Sequence, residues 1–245
     1  MLLMLQAASC RKDPPVPTHT EAPMGVLKLT VSPLWNGQPF SKDSIYLAAG
    51  DQRIQVSGLK FYLAPLALHG EQGGQLLFDA DLFDVANGPE YRVLAAPSGA
   101  YQSVATGLGL PYHLNHRDLA TIPPNAPTGN NSGMYWNWAS QYRFTIFTGK
   151  WDSDPVGLGT PPFTFDLHTG LDTCYRTRSW PLDLNVPATD TARMTITVDI
   201  ARFFTDGTDV FNLAEGAVWH GDVNELDVVL ELADLQVEAL SVEAE

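Results

Sequence analysis

The chain is poor in cysteine, in charge and in long apolar runs. It holds two cysteines, Cys10 and Cys174, among 245 residues. No CxxC pair is present, so no thiolate zinc site is encoded. Charged residues make up 17%, below the ~25% usual in globular chains. Positive charge is scarcest: Lys and Arg number 14 against 28 Asp and Glu, a net charge of −14. Phosphate recognition needs clustered Lys and Arg, which argues against nucleic acid as a partner. The same shortage argues against electrostatic attachment to an anionic membrane. No apolar run reaches the roughly 18 residues of a membrane-spanning helix. HExxH, GxSxG and a glycine-rich phosphate loop are all missing. Asp and Glu abound, but no spacing singles out a glycosidase pair. With no nucleophile–base constellation visible, the chain reads as a binding protein rather than an enzyme.

What is present begins with an export-like start. Residues 1–9, Met-Leu-Leu-Met-Leu-Gln-Ala-Ala-Ser, form a short apolar run followed by small residues, the way export signals end. Small residues directly before Cys10 resemble a bacterial lipobox, in which the cysteine is lipidated and becomes the mature N-terminus. The apolar run is shorter than a full signal, so 1–9 reads as its truncated end. Cys174 is then left without an intrachain partner. Residues 10–24 hold Pro14, Pro15, Pro17 and Pro23, the composition of a stiff tether. Residues 25–245 read as one domain. The expected location is the periplasm or cell surface, with the membrane touched only through the lipid.

Hydrophobic residues make up 44%, enough for a real core. The pattern within 25–245 is one of short strands separated by Gly, Pro and Asn. Strands are expected at 26–31, 45–47, 54–56, 59–68, 76–79, 91–94, 142–147, 163–167, 194–200 and 226–232. Asn36-Gly37 marks a turn, and Gly73-Gly74 a hairpin. Pro65 marks an edge, a bulge or a strand end. Met194-Thr-Ile-Thr-Val-Asp-Ile alternates most strictly, and 200–204 reads as a helical turn. No long 3.6-period segment and no repeat stands out. These signals predict a mostly β, single-domain antiparallel β-sandwich or open barrel with long ordered loops.

One connection is too long for a hairpin. Residues 108–138 carry Pro111, Pro123, Pro124 and Pro127 and end in Met134-Tyr-Trp-Asn-Trp. Long ordered loops inside compact domains are often functional. Trp136 and Trp138 are two apart, so an extended backbone turns both indoles to one face. Such a pair suits a β core, or a platform for a glycan or protein partner in a metal-free module. His116 heads the loop and His168 lies near a strand end, the places where β scaffolds put sites. His69, His113 and His220 are further candidates, with His19 a weak one. Imidazoles suit copper or zinc, with Asp118 or Asp166 available to hold a far ring nitrogen.

These pieces together resemble the MbnP family. The resemblance rests on Gly109-Leu-Pro-Tyr-His-Leu-Asn-His-Arg-Asp118, the proline-rich loop, Met134-Tyr-Trp-Asn-Trp138 and Tyr142-Arg-Phe144. Leu59-Lys-Phe-Tyr-Leu63, Phe165-Asp-Leu-His-Thr-Gly170 and Val198-Asp-Ile-Ala-Arg-Phe-Phe204 add to it. It implies a periplasmic copper-binding protein, one half of a metallo-mystery pair. It also implies that a tryptophan is oxidised to kynurenine by a dihaem peroxidase-like partner, MbnH, and that the product helps bind copper. Carried onto this chain, Trp136 or Trp138 is the modified residue, and His116 and His168 are the copper ligands. The chain departs from the family pattern at Asp166, where an aromatic is common.

Overall fold

The computed structural model describes residues 22–71, 73–137, 141–220 and 226–245. In chain order the strands are β1 (Met24–Trp35), β2 (Gln38–Pro39), β3 (Tyr46–Leu47), β4 (Arg53–Gly70), β5 (Gly73–Phe78), β6 (Asp81–Asp84), β7 (Glu90–Pro97) and β8 (Gly99–Leu108). A one-turn helix α1 (Tyr112–Asn115) opens the long loop. There follow β9 (Tyr135–Asn137), β10 (Gln141–Asp152), β11 (Phe163–Gly170), β12 (Arg176–Val186), β13 (Thr191–Asp199), β14 (Val218–Trp219), helix α2 (Leu226–Glu238) and β15 (Leu240–Ala244).

The strands build two sheets, as the alternating pattern predicts. One runs β15-β13-β1-β2, with β7 also paired to β1. The other runs β12-β8-β4-β10-β11-β14, with β3, β5 and β6 on β4 and β9 on β10. Neither is wholly antiparallel. β1 pairs β13 in parallel from Val26↔Thr191 to Leu34↔Asp199, and β11 pairs β14 in parallel. A parallel pair needs a long crossover, and for β1 and β13 the other sheet supplies it.

The inner faces follow from period-two alternation. On β1, Leu27, Leu29 and Val31 are buried; on β13, Met194, Ile196 and Val198 are. Phe147 of β10 packs tilted against Phe165 at 4.9 Å and edge-to-face with Phe203 at 5.1 Å. Phe203 lies in the 3-10 turn Ile200–Phe204, the helical turn expected there. Each such ring contributes about 1.5–3 kcal/mol when fully buried. Strand β4 is buried on both faces along Phe61-Tyr-Leu-Ala64, because the long loop covers its outer side. The Tyr62 phenol donates to the Pro127 carbonyl at 2.9 Å, and the Tyr142 phenol to the Thr128 carbonyl at 2.6 Å. The loop is therefore held to the sheet, not free.

Three expectations need correction. The segments 54–56 and 59–68 are one strand, β4, and Pro65 sits where its pairing with β8 slips register between Leu63 and Leu66. The strand expected at 226–232 is the start of helix α2. Leu226, Val228, Leu230 and Leu232 do alternate, but the buried residues Val229, Leu232, Ala233, Leu235, Gln236 and Val237 gather on one helical face. Strands β8, β12 and β15 were not expected at all. Polar residues alternate through them, and their pairing is decided by distant neighbours.

Candidate metal centre

Strand β11 carries the first two residues. Asp166 and His168 are two apart and share a face. Strand β14 lies beside it in register Asp166↔Val218 and Leu167↔Trp219, reinforced by Asp166 N–H donating to the Ala217 carbonyl at 2.8 Å. One more step along both chains sets His220 opposite His168. Their rings stack at 5.0 Å between centroids, 29° from parallel. Among the described residues, Asp166, His168 and His220 form a group of potential ligands whose donor atoms all lie within 4.8 Å of one another.

The carboxylate of Asp166 sits between the two imidazoles. His220 Nε2 is 2.8 Å from Oδ2 in a hydrogen bond. His168 Nε2 is 2.7 Å from Oδ1, but off the line a hydrogen bond requires, so Oδ1 has no hydrogen-bond donor. His168 Nδ1 is likewise buried without a partner. Buried polar atoms are nearly always satisfied in folded proteins. A neutral His168 ring that does not donate from Nε2 carries its proton on Nδ1, so Nε2 and Oδ1 face each other as two acceptors. A cation suits such a pair, and the donor set, two imidazoles and a carboxylate, fits a first-row transition ion. Burial pushes the His168 imidazole down to about 4, against the pull of Asp166 and helped by the Arg143 guanidinium and His220. The ring is neutral at pH 7, the form that can ligate a metal.

Trp136 completes the group. It lies on β9, which folds back on β10 with Tyr135 opposite Tyr142. Its indole stands edge-on to His168 at 5.6 Å and 83°, and to His220 at 5.7 Å and 85°. The Arg143 guanidinium lies 5.6 Å over the same indole and donates to the Gly133 carbonyl, tying the ring to the sheet.

His116 stands elsewhere. Its Nε2 lies 2.8 Å from Asp172 Oδ2, and its ring stacks on Tyr112 at 4.2 Å. Buried Asn115 beside it donates to Asp172 Oδ1 at 2.8 Å and accepts from the Tyr142 N–H at 3.3 Å. The histidine pair expected from sequence, His116 with His168, is thus replaced in this group by His168 with His220. Asp118 holds no imidazole; it caps its own turn by accepting from the Ala120 N–H. Trp138, His19 and Cys10 lie outside the described residues. Cys174 is buried and unpaired, and burial raises its thiol pKa. His220 is one candidate among several in the sequence. It directly follows Val218–Trp219, a two-residue strand too short to read without its parallel neighbour.

The MbnP family model matches residues 24–220, which span Trp136, Asp166, His168 and His220. The chain belongs to the MbnP family. A solved structure, MbnP from Methylosinus trichosporium, superposes with a TM-score of 0.52, covering 90% of this chain and 99% of that one at 15% identity. At that identity the superposition speaks for the shared fold. No curated protein matches the sequence. Helix α2 and β15 lie beyond the MbnP match, so the centre falls wholly within the family portion.

Proposed function

We propose that this MbnP-family chain is a copper-binding protein whose site is formed by His168, His220 and an oxidised Trp136. The observation that carries the reading is the indole edge-on to both imidazoles. An intact indole offers an N–H donor and no lone pair for a metal. Oxidative cleavage of its C2–C3 bond, with peroxide as the oxygen-supplying oxidant, and hydrolysis that releases C2 as formate give kynurenine and free the nitrogen as an aryl amine, which can ligate. The product forms beside two imidazoles, one of them held neutral by burial. Copper, when bound, supplies a Lewis-acidic or redox-active ion; the chain's own residues supply donors and exclude bulk water on the His168 side. In this reading the chain binds and does not catalyse. The oxidising equivalents come from a dihaem peroxidase-like partner, and a lipid on Cys10 tethers the domain in the periplasm or at the cell surface.

The test is copper content after co-expression with such a partner. One copper per chain is expected, falling sharply in His168→Ala and in His220→Ala. A mass change on the peptide holding Trp136 is expected only when the partner is present. Full copper content in both histidine variants would refute the ligand assignment. An unchanged Trp136 peptide in copper-loaded protein would refute the kynurenine step.

A further inference from the structure

Helix α2, the β1–β7 face and the connection between β10 and β11 each carry exposed charge or apolar surface with nothing to say what covers it. Arg143 is different, because the fold leaves it a buried donor. The pairing of β10 with β11 slips register between Arg143 and Thr145, and such a bulge re-aims a side chain. The Arg143 backbone N–H donates to the Met134 carbonyl at 2.9 Å, and its Nη2 to the Gly133 carbonyl. The guanidinium is thus tied to the segment leading into β9, with its carbon 5.6 Å from the centre of the Trp136 ring. Its Nε is buried and has no acceptor among the described residues. The intact indole supplies none, because its nitrogen only donates. We propose that Arg143 Nε–H is the donor to the ketone oxygen that kynurenine formation creates on Trp136. This rests on the reading of Trp136 as the oxidised residue, and it makes Arg143 the positioning residue of the product.

The oxidation itself supplies the missing acceptor. Cleaving the C2–C3 bond consumes two molecules of peroxide, each leaving as water after giving up one oxygen. One oxygen stays on C3 as a ketone. The other leaves with C2 as formate on hydrolysis, and the nitrogen remains on the aryl ring as an amine. C3 keeps its bond to Cβ, so the ketone stays where the indole stood, under a guanidinium already held over that ring. A buried cationic donor without an acceptor is costly, and a hydrogen bond from a charged group is among the stronger ones. The product therefore offers Arg143 what the indole does not.

One side chain thus serves both states of its neighbour. Before oxidation its charge lies over the indole as a cation–π partner; afterwards its Nε–H donates to the ketone. In free kynurenine the amine donates to the ketone beside it. Arg143 engaging that oxygen competes with the internal bond and leaves the amine to turn towards His168 and His220, whose rings stand 5.6 and 5.7 Å from the indole. A lysine carries a point charge without the planar fork, so it replaces Arg143 only in part.

The experiment uses full-length chain co-expressed with the dihaem peroxidase-like partner and stripped of metal, with the mass change at Trp136 verified. The ketone stretch is read by isotope-edited infrared spectroscopy on protein made with labelled tryptophan, and copper affinity by titration. In wild type the stretch is expected at or below that of kynurenine in water, the sign of a strong donor on the oxygen. A stretch matching kynurenine in an apolar solvent would overturn the proposal. Arg143→Met is expected to shift the stretch upward and to weaken copper binding by about 10- to 100-fold, with Arg143→Lys between it and wild type and the fold checked by circular dichroism. An oxidised Arg143→Met protein with the wild-type stretch and affinity would also overturn it. Where a variant does not fold or is not oxidised, the wild-type stretch decides alone. Wild-type protein that never acquires the mass change defeats the kynurenine reading and this inference with it; kynurenine with a free ketone defeats this inference only.

Discussion

Two histidine–carboxylate contacts of equal length occupy different surroundings in this molecule. His116 lies 2.8 Å from Asp172 in the long loop, and His220 lies 2.8 Å from Asp166 at the sheet edge. Asp172 is saturated: Asn115 donates to one oxygen and His116 contacts the other. Asp166 faces an imidazole on each oxygen, and its Oδ1 has no hydrogen-bond donor. Distance alone does not separate a ligand set from a structural clasp. The balance of donors and lone pairs does, and so does what else is gathered there. Tyr112 stacks on His116, whereas Trp136 and a second imidazole surround His168.

The comparison breaks most visibly at Asn115. In the clasp this buried amide serves Asp172 and the Tyr142 N–H. Asn115→Ala leaves both without their partner and should cost about 2–3 kcal/mol in denaturant unfolding. Metal affinity at His168 should stay within about threefold of wild type; a loss of tenfold or more would mean that the two regions are one site.

Tyr142 gives a smaller effect that tests whether the loop is clamped by hydrogen bonds. Tyr142→Phe leaves the Thr128 carbonyl without its donor and should cost about 1–2 kcal/mol. Burial pushes the Tyr142 phenol from 10.0 up to about 12. The unfolded chain loses this proton near pH 10 and the folded one near pH 12. Stability from this group is therefore full below pH 10 and fades between pH 10 and 12. Unfolding titrations across that window should show a fall that Tyr142→Phe lacks; equal falls in both would place the alkaline loss elsewhere.

His168 gives an acid-side counterpart. Its imidazole is lowered from 6.5 to about 4 in the fold, chiefly by burial. Above pH 6.5 neither the folded nor the unfolded state carries the proton, and this group is silent. Between pH 6.5 and 4 the unfolded chain binds a proton that the folded chain does not, so metal-free protein loses stability as the pH falls. His168→Gln should lose less stability over the same interval. A ring titrating near 6.5 by nuclear magnetic resonance would contradict the burial argument.

Much of this was legible in the residues, unevenly. The alternation of 194–200 became β13 with its inner face buried, Gly73-Gly74 opens β5 in its antiparallel pairing with β4, and the proline-rich loop is tied to the sheet by Tyr62 and Tyr142. Helix α2 was missed because seven of its residues alternate as a strand would, and only the residues after Leu232 reveal the helical face. His168 stood out at a strand end. His220 did not, because its place depends on a parallel pairing of two residues with a strand some fifty positions earlier, which no local pattern encodes. His116 drew attention for the opposite reason: its Asn-His-Arg-Asp setting looks like a ligand motif, yet its neighbours spend their hydrogen bonds on Asp172 and on capping a turn.

The central claim, that the centre is built on His220 and not on His116, is tested most directly by titrating copper into His220→Ala and His116→Ala side by side with wild type. The account predicts affinity about 100-fold or more weaker in His220→Ala, the loss of a direct ligand, and within about threefold of wild type in His116→Ala. Undiminished binding in His220→Ala, with the loss appearing in His116→Ala instead, would contradict it.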